Sequence, residues 1–341
     1  MRDASTIRAR KFMFRFVRAA LCAIAAGALA QSPAQAASGE ARYPTKPIRL
    51  ISAFAPGGGA SAVARMIGPE LTEAWGQPVV VDNRPGAGGS IGTEMAARSP
   101  ADGYTLVMAT ASTIVINPLV GKVPFDPIAD FAPVVHTSTV PLVLVVHPSV
   151  PAKTVKELLA YARSRGARLN FSSSGEGTIS HLAGELFNNL AKVEMVHVPY
   201  KGGGQAIIDL MAGHVQVGFQ NILEALPQIS AGRLRALAVS TPARSPVVPN
   251  IPTVNEAGVR GYEVIQWSGI LAPAGVSRDI VAKLNTEVNR ILARPDMRER
   301  FIAGGADPGS GSPEQFGAMI RSEIAKWAGV VKTIKLDLQR R

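Results

Sequence analysis

The segment Phe54-Ala55-Pro56-Gly57-Gly58-Gly59-Ala60-Ser61 constrains the fold more than any other stretch of this chain. The β-prone run 48–54 leads into it, and the helix-prone run 62–67 leads out. Pro56 ends a strand, because it has no N–H to give a ladder. Three consecutive glycines let the backbone turn tightly and leave its amides uncovered. Ser61 is placed to cap the helix that follows. Strand, glycine turn and helix start together make an anion site, with free amides at the positive end of a helix dipole. Tight strand-to-helix packing accounts for the same glycines without a ligand. No G-x-G-x-x-G is present here and no Lys-Ser or Lys-Thr follows the glycines, which argues against a dinucleotide fingerprint or a P-loop.

The alternation continues. Strands are expected at 78–82 and 104–109, with the turn Arg84-Pro85-Gly86-Ala87-Gly88-Gly89-Ser90 opening a helix at 91–97 between them. These strands are apolar on both faces, as in a parallel sheet covered by helices, so the class is α/β. Ligands in such sheets sit beyond the carboxyl ends of the strands. That places Ser112 and Thr113 beside the first glycine loop, although helix capping explains them equally well. Two further strands are expected at 132–137 and 140–147, and Pro148 and Pro151 punctuate a crossing into a second domain. Thr154 to Glu157 opens a capped helix that runs to about residue 165. The strand 169–171 then ends in Ser172-Ser173-Ser174-Gly175-Glu176-Gly177-Thr178, before a helix at about 180–190. This loop repeats the first design, and the two can face each other across a cleft. A third such turn, Pro199-Tyr200-Lys201-Gly202-Gly203-Gly204, follows the strand 195–198. Tyr200 either flanks a ligand or packs at a hinge; Lys201 either counters an anion or is a solvated charge. After the helix 205–211 and the strand 215–219, Gln220 and Asn221 offer amide side chains to a polar ligand. Strands at 234–239 and 263–271, with Trp267 in the core, and helices at 279–293, 296–303 and 313–332 complete the chain.

Composition narrows the setting. Of the +11 net charge, residues 1–36 hold +5, from Arg2, Arg8, Arg10, Lys11, Arg15 and Arg18 against Asp3. The apolar run 19–30 is too short to span a bilayer, and Ala34-Gln35-Ala36 supplies the small residues a signal peptidase reads. Residues 1–36 are therefore expected to be a secretory signal, whether synthesis starts at Met1 or Met13, and the location is expected to be the periplasm. The single cysteine, Cys22, lies in that leader, so no disulfide or cysteine metal site is expected in the mature chain. The remaining basic excess is scattered, without interleaved aromatics, and no nucleic-acid partner is expected. Catalytic machinery is not evident. His136, His147, His181, His197 and His214 are dispersed. His181 and Glu185 are four apart, as a metal pair or, more simply, a helix-face contact. Ser174 is not in a G-x-S-x-G elbow. A triad needs only to meet in space, but Gly, Ser, Thr and Asn in a cleft bind and do not transfer protons near neutral pH. Neither cofactor nor metal is expected.

Several segments resemble one known family. They are Tyr43-Pro44-Thr45-Lys46-Pro47-Ile48, the Phe54 to Gly58 loop with Ala64-Arg65, Asn83-Arg84-Pro85-Gly86-Ala87-Gly88-Gly89 and Asp102-Gly103-Tyr104-Thr105-Leu106. Val145-Val146-His147-Pro148, Ser173 to Glu185, His197 to Gly202, Leu234 to Val239, Pro252-Thr253-Val254 and Ala272-Pro273-Ala274-Gly275 continue the match in order. The chain resembles the Bug proteins, extracytoplasmic solute receptors of tripartite tricarboxylate transporters. The resemblance implies a two-lobed type II periplasmic binding fold, each lobe a mostly parallel sheet flanked by helices, with a two-strand hinge. It assigns 44–141 and 262–341 to lobe 1 and 142–261 to lobe 2. It implies a small carboxylate held by Phe54, Gly57, Gly58, Gly59, Ala60 and Ser61, with Ser112, Thr113, Ser173, Ser174, Gly175, Thr178, Tyr200, Gln220 and Asn221 around it. It further implies a monomer whose partners are the transporter's membrane subunits. Many members carry Asp at the positions of Ser61 and Gln220, so this pocket is expected to be less negative than theirs and less suited to a cationic amino group.

The expected function is therefore a non-enzymatic receptor for a mono- or dicarboxylate. A receptor that reports to a membrane sensor is an alternative, as is a periplasmic hydrolase or isomerase on the same fold.

Overall fold

The computed structural model describes residues 43–165, 169–245 and 248–334. The expected leader, 1–36, lies outside them. The described residues from Pro44 onward form one compact unit.

Its centre is a ten-stranded sheet. Strand β1 (Ile48–Ser52) lies between β2 (Val79–Asn83) and β3 (Thr105–Thr110), parallel to both, with Leu50 opposite Val81 and Leu106. Leu50 and Ile51 are fully buried, and each such side chain contributes about 1.5–3 kcal/mol. β3 runs antiparallel to β9 (Ile265–Pro273), and β9 antiparallel to β4 (Phe131–Val146). The far half of β4 pairs with β7 (Val217–Asn221) and β8 (Arg235–Val239). From β7 the sheet continues in parallel through β5 (Asn170–Ser173) to β6 (Val196–Pro199). The two-residue β10 (Asp307–Pro308) joins the edge of β4.

The two strands expected at 132–137 and 140–147 are one continuous strand of sixteen residues. Ser138 and Thr139 form no turn between them. Register shifts at Pro133/Val135 and His136/Ser138 absorb the irregularity instead. At Pro141, which cannot donate to a ladder, β4 gives up β9 and takes β7. Ser240 stitches this exchange. Its Oγ accepts the Leu142 N–H at 3.0 Å and donates to the Val264 carbonyl at 2.5 Å.

Helices cover the sheet. They are α1 (Gly59–Trp75), α2 (Ser90–Ala97), α3 (Asn117–Val120), α4 (Val155–Arg165), α5 (Ile179–Ala191), α6 (Gly203–Met211), α7 (Ile222–Ser230), α8 (Arg278–Ala293), α9 (Pro295–Gly304) and α10 (Pro313–Ile334). Three differ from expectation, one being the four-residue α3, which the sequence does not announce. Ser61 does not cap α1: Gly58 is its N-cap, and Ser61 lies inside the first turn. The Gly58 carbonyl already accepts the Ala62 N–H at 2.9 Å, so the helix begins two residues before Ser61. Helix α7 is not anticipated at all, because Pro227 interrupts its pattern; Asn221 caps it by accepting from the Leu223 N–H at 2.9 Å. Trp267 is core, edge-on to Phe316. Among the described residues no helix is long and apolar enough to cross a membrane.

Candidate functional site

The carboxyl ends of β1, β3, β5 and β7 open onto a narrow cavity. Phe54, Gly58, Gly59 and Ala60 form one wall, where β1 passes into α1; Thr110 and Ser112 follow from β3. The opposite wall comes from Ser174 and Ser180 after β5, Gly203 at the start of α6, and Gln220, Asn221 and Glu224 at the β7–α7 junction. Leu142, Phe219 and Gln266 close it. The starts of α1 and α6 both face the space. The glycine turns before them meet directly, with Gly204 against Pro56 and Gly57.

Gly58 and Gly59, the core of the first loop, thus lie in the cavity, as do Phe54, Ala60, Ser112, Ser174, Gln220 and Asn221. Seven expected residues sit elsewhere. Gly57 is exposed on the outer side of the turn. Ser61 is fully buried, and its Oγ accepts from Asn83 Nδ2 at 3.0 Å, the same amide that donates to the Phe54 carbonyl at 2.8 Å. Its work is to fix the loop. Thr113 and Thr110 cap each other's backbone at the start of the wide helical turn Ala111–Ile116. Ser173 bonds His197 Nε2 at 2.6 Å, and Thr178 caps α5. Gly175 and Tyr200 line an adjoining cavity, with Lys201 and the Gly86–Gly89 turn; Phe54 and Ser174 border both spaces. That puts eight of the fifteen expected residues in the cavity and two, Gly175 and Tyr200, in the adjoining space, with Tyr200 held by its O–H donating to Asp209 Oδ2 at 2.8 Å. Burial, and then that bond, push the Tyr200 hydroxyl up to about 12.

Two walls are tied across the space. Ser112 Oγ accepts the Ile179 N–H at 2.9 Å, and Glu224 Oε1 accepts the Gly59 N–H at 2.6 Å. Ser61 and Gln220 carry no charge, but Glu224, which the sequence reading does not place in the pocket, brings a carboxylate from α7. Burial pushes its acid up to about 7, and the Gly59 N–H pulls it only partly back. Oε2 of Glu224 and Nδ2 of Asn221 are both buried without a hydrogen-bond partner. The approach is close enough to require glycines on the facing backbone. A Cβ on Gly59 would collide with Asn221 Nδ2, and one on Gly203 with Glu224 Oε2. Thr110, Ser180, Gly203 and Glu224 escaped sequence reasoning. For Glu224 the usable signal is Asn221-x-x-Glu224, the spacing of a helix start.

The His181–Glu185 pair lies outside this cavity. His181 Nδ1 accepts the Gly177 N–H at 3.2 Å, its ring stacks on His197 at 3.7 Å, and Glu185 is 3.7 Å from Nε2. Among the described residues no group of three His, Cys, Asp or Glu side chains could hold a metal ion.

The family model for the tripartite tricarboxylate transporter family receptor, TctC, matches residues 63–336. The chain belongs to this receptor family. Protein BugT of Bordetella pertussis is 38% identical over 292 residues, 85% of this chain and 90% of BugT. Rpa4515 of R. palustris, solved with adipate, superimposes with a TM-score of 0.85 at 38% identity, over 86% of this chain and 99% of that one. MatC from Rhodopseudomonas palustris, with bound malate, gives 0.81 at 33% identity, over 85% of this chain and 100% of that one. The resemblance drawn from the motifs holds, and the α/β fold is that of the TctC receptors.

Proposed function

We propose that this TctC-family receptor binds a small organic mono- or dicarboxylate in the cavity between β1–α1 and β7–α7, and passes it to the membrane subunits of a tripartite tricarboxylate transporter. The observation that carries the reading is the wall itself. Two helix starts and the hydroxyls and amides of Thr110, Ser112, Ser174, Ser180 and Asn221 converge on one space. Such groups suit an anion. A hydrogen bond to a charged group contributes about 1.5–3 kcal/mol, so a few give roughly micromolar affinity. Adipate in Rpa4515 and malate in MatC are ligands of this class.

In this reading 44–141 with 262–341 and 142–261 are two lobes that close on the ligand, with the leader 1–36 directing export to the periplasm. The change of partners at Pro141 and the Ser240 stitch support that division. The receptor acts as a monomer and performs no chemistry on what it carries.

A thermal-shift screen of two- to six-carbon mono- and dicarboxylates, adipate and malate included, tests the proposal. At least one is expected to raise the melting temperature by about 5 °C at a hundredfold excess over its Kd. Stabilisation by neutral sugars or cations alone overturns the reading.

A further inference from the structure

Glu224 stands where an incoming anion would stand. Its Oε1 takes the Gly59 N–H, at the first residue of α1. Its Oε2 has no partner and abuts Gly203, the first residue of α6. Asn221 is 6% exposed, lines the same space, and its Nδ2 is also unpartnered. A buried polar atom without a partner is costly, so an acceptor and a donor left open in one cavity mark a ligand position.

We propose that Glu224 is a ligand-contacting residue that holds the ligand's carboxylate through a shared proton, so that each anion bound brings one proton with it. The inference rests on the carboxylate reading above. The groups an anion seeks, Asn221 Nδ2 and the amides at the starts of α1 and α6, surround Glu224. A ligand carboxylate drawn to them lies against a second carboxylate in a site largely closed to water. Two such groups cannot both stay ionised at hydrogen-bond distance. A proton from solvent settles on Glu224 Oε2, which then donates to a ligand oxygen; no other bond forms or breaks. Burial already holds Glu224 near half-protonation at neutral pH, so the uptake costs little.

No neighbouring charge displaces this role. Glu224 is the one acidic or basic side chain among the residues lining the cavity. On the elements packed against α7, Arg65 donates to Asn83, Glu70 pairs with Arg294 and Arg300, Asp209 holds Tyr200 and His214, and His136 faces Thr139. Asp296 pairs with Arg294. Glu73, Lys201, Arg298 and Glu299 make no hydrogen bond or ion pair with Glu224, whose acceptor bond is to Gly59.

Calorimetric titrations with adipate, malate and the rest of the carboxylate panel, from pH 6 to 8.5, decide it. Simple carboxylates are largely ionised across that range. Wild-type affinity for whichever of them binds is expected to fall about thirtyfold over it. At pH 8, binding is expected to take up close to one proton, read from the dependence of the heat on buffer ionisation enthalpy. Glu224→Gln donates an N–H without taking up a proton, so its affinity for the same carboxylate is expected to stay flat with pH. Flat wild-type affinity without proton uptake, or an unchanged pH dependence in Glu224→Gln, overturns the inference and leaves the receptor reading standing. If no carboxylate binds at any pH, the receptor reading fails and the inference falls with it. The buffer measurement uses wild-type protein, so a variant that misfolds leaves the outcome decided.

Discussion

Glu224 makes the ligand-free protein's stability depend on pH. Its folded-state pKa is raised from 4.5 to about 7 by burial. A group raised in this way contributes stability that is fully present below pH 4.5 and is lost as pH rises through about 7. Wild type is therefore expected to lose up to about 3 kcal/mol relative to Glu224→Gln between pH 4.5 and 8, measured by urea unfolding of both at each pH. A difference that stays constant, or grows in favour of wild type, contradicts the assignment. The first glycine loop was legible because its glycines, proline and flanking runs are all local signals. Glu224 was not. It meets Gly59 from 165 positions away, and the pairing of β4 with β7, more than any nearby residue, brings it there. Ser61 shows the opposite error: local propensity made it a cap, but Gly58 took that position.

At the scale of elements, the strands and helices with strong patterning were found close to where they lie. The expected strand 78–82 is Val79–Asn83, and the expected helix 279–293 is Arg278–Ala293. β4 read as two strands separated at Ser138-Thr139, and α7 read as nothing because Pro227 signals a break locally. The tertiary structure absorbs both, the first in register shifts and the second within a short helix. The Ser240 stitch is equally invisible in sequence, since serine is common in loops. Ser240→Ala would leave the buried Leu142 N–H without its acceptor. The expected loss is about 1–3 kcal/mol, read as a lower denaturation midpoint with an unchanged slope. No loss would mean that the crossover is held by its backbone bonds alone.

At the scale of the whole molecule, the expectation of parallel β-sheet covered by helices holds at both ends of the sheet, and antiparallel strands join them in the middle. That arrangement needs pairings between distant segments, which no local pattern reports. The chain's one cysteine, Cys22, lies in the expected leader. Protein lacking that leader carries no thiol and is expected to melt at the same temperature with and without a thiol reductant, by scanning calorimetry; a shift would show that Cys22 is retained. The change of partners at Pro141 has a further consequence. Exchange of a segment between two copies needs a connection that can swing free. Here one connection to 142–261 is β4 itself, hydrogen-bonded on both sides of Pro141, and the other is pinned where Val264 meets Ser240. Swapping the proposed lobe 142–261 would require both to be torn open together, so the stitching is expected to keep that segment in its own molecule.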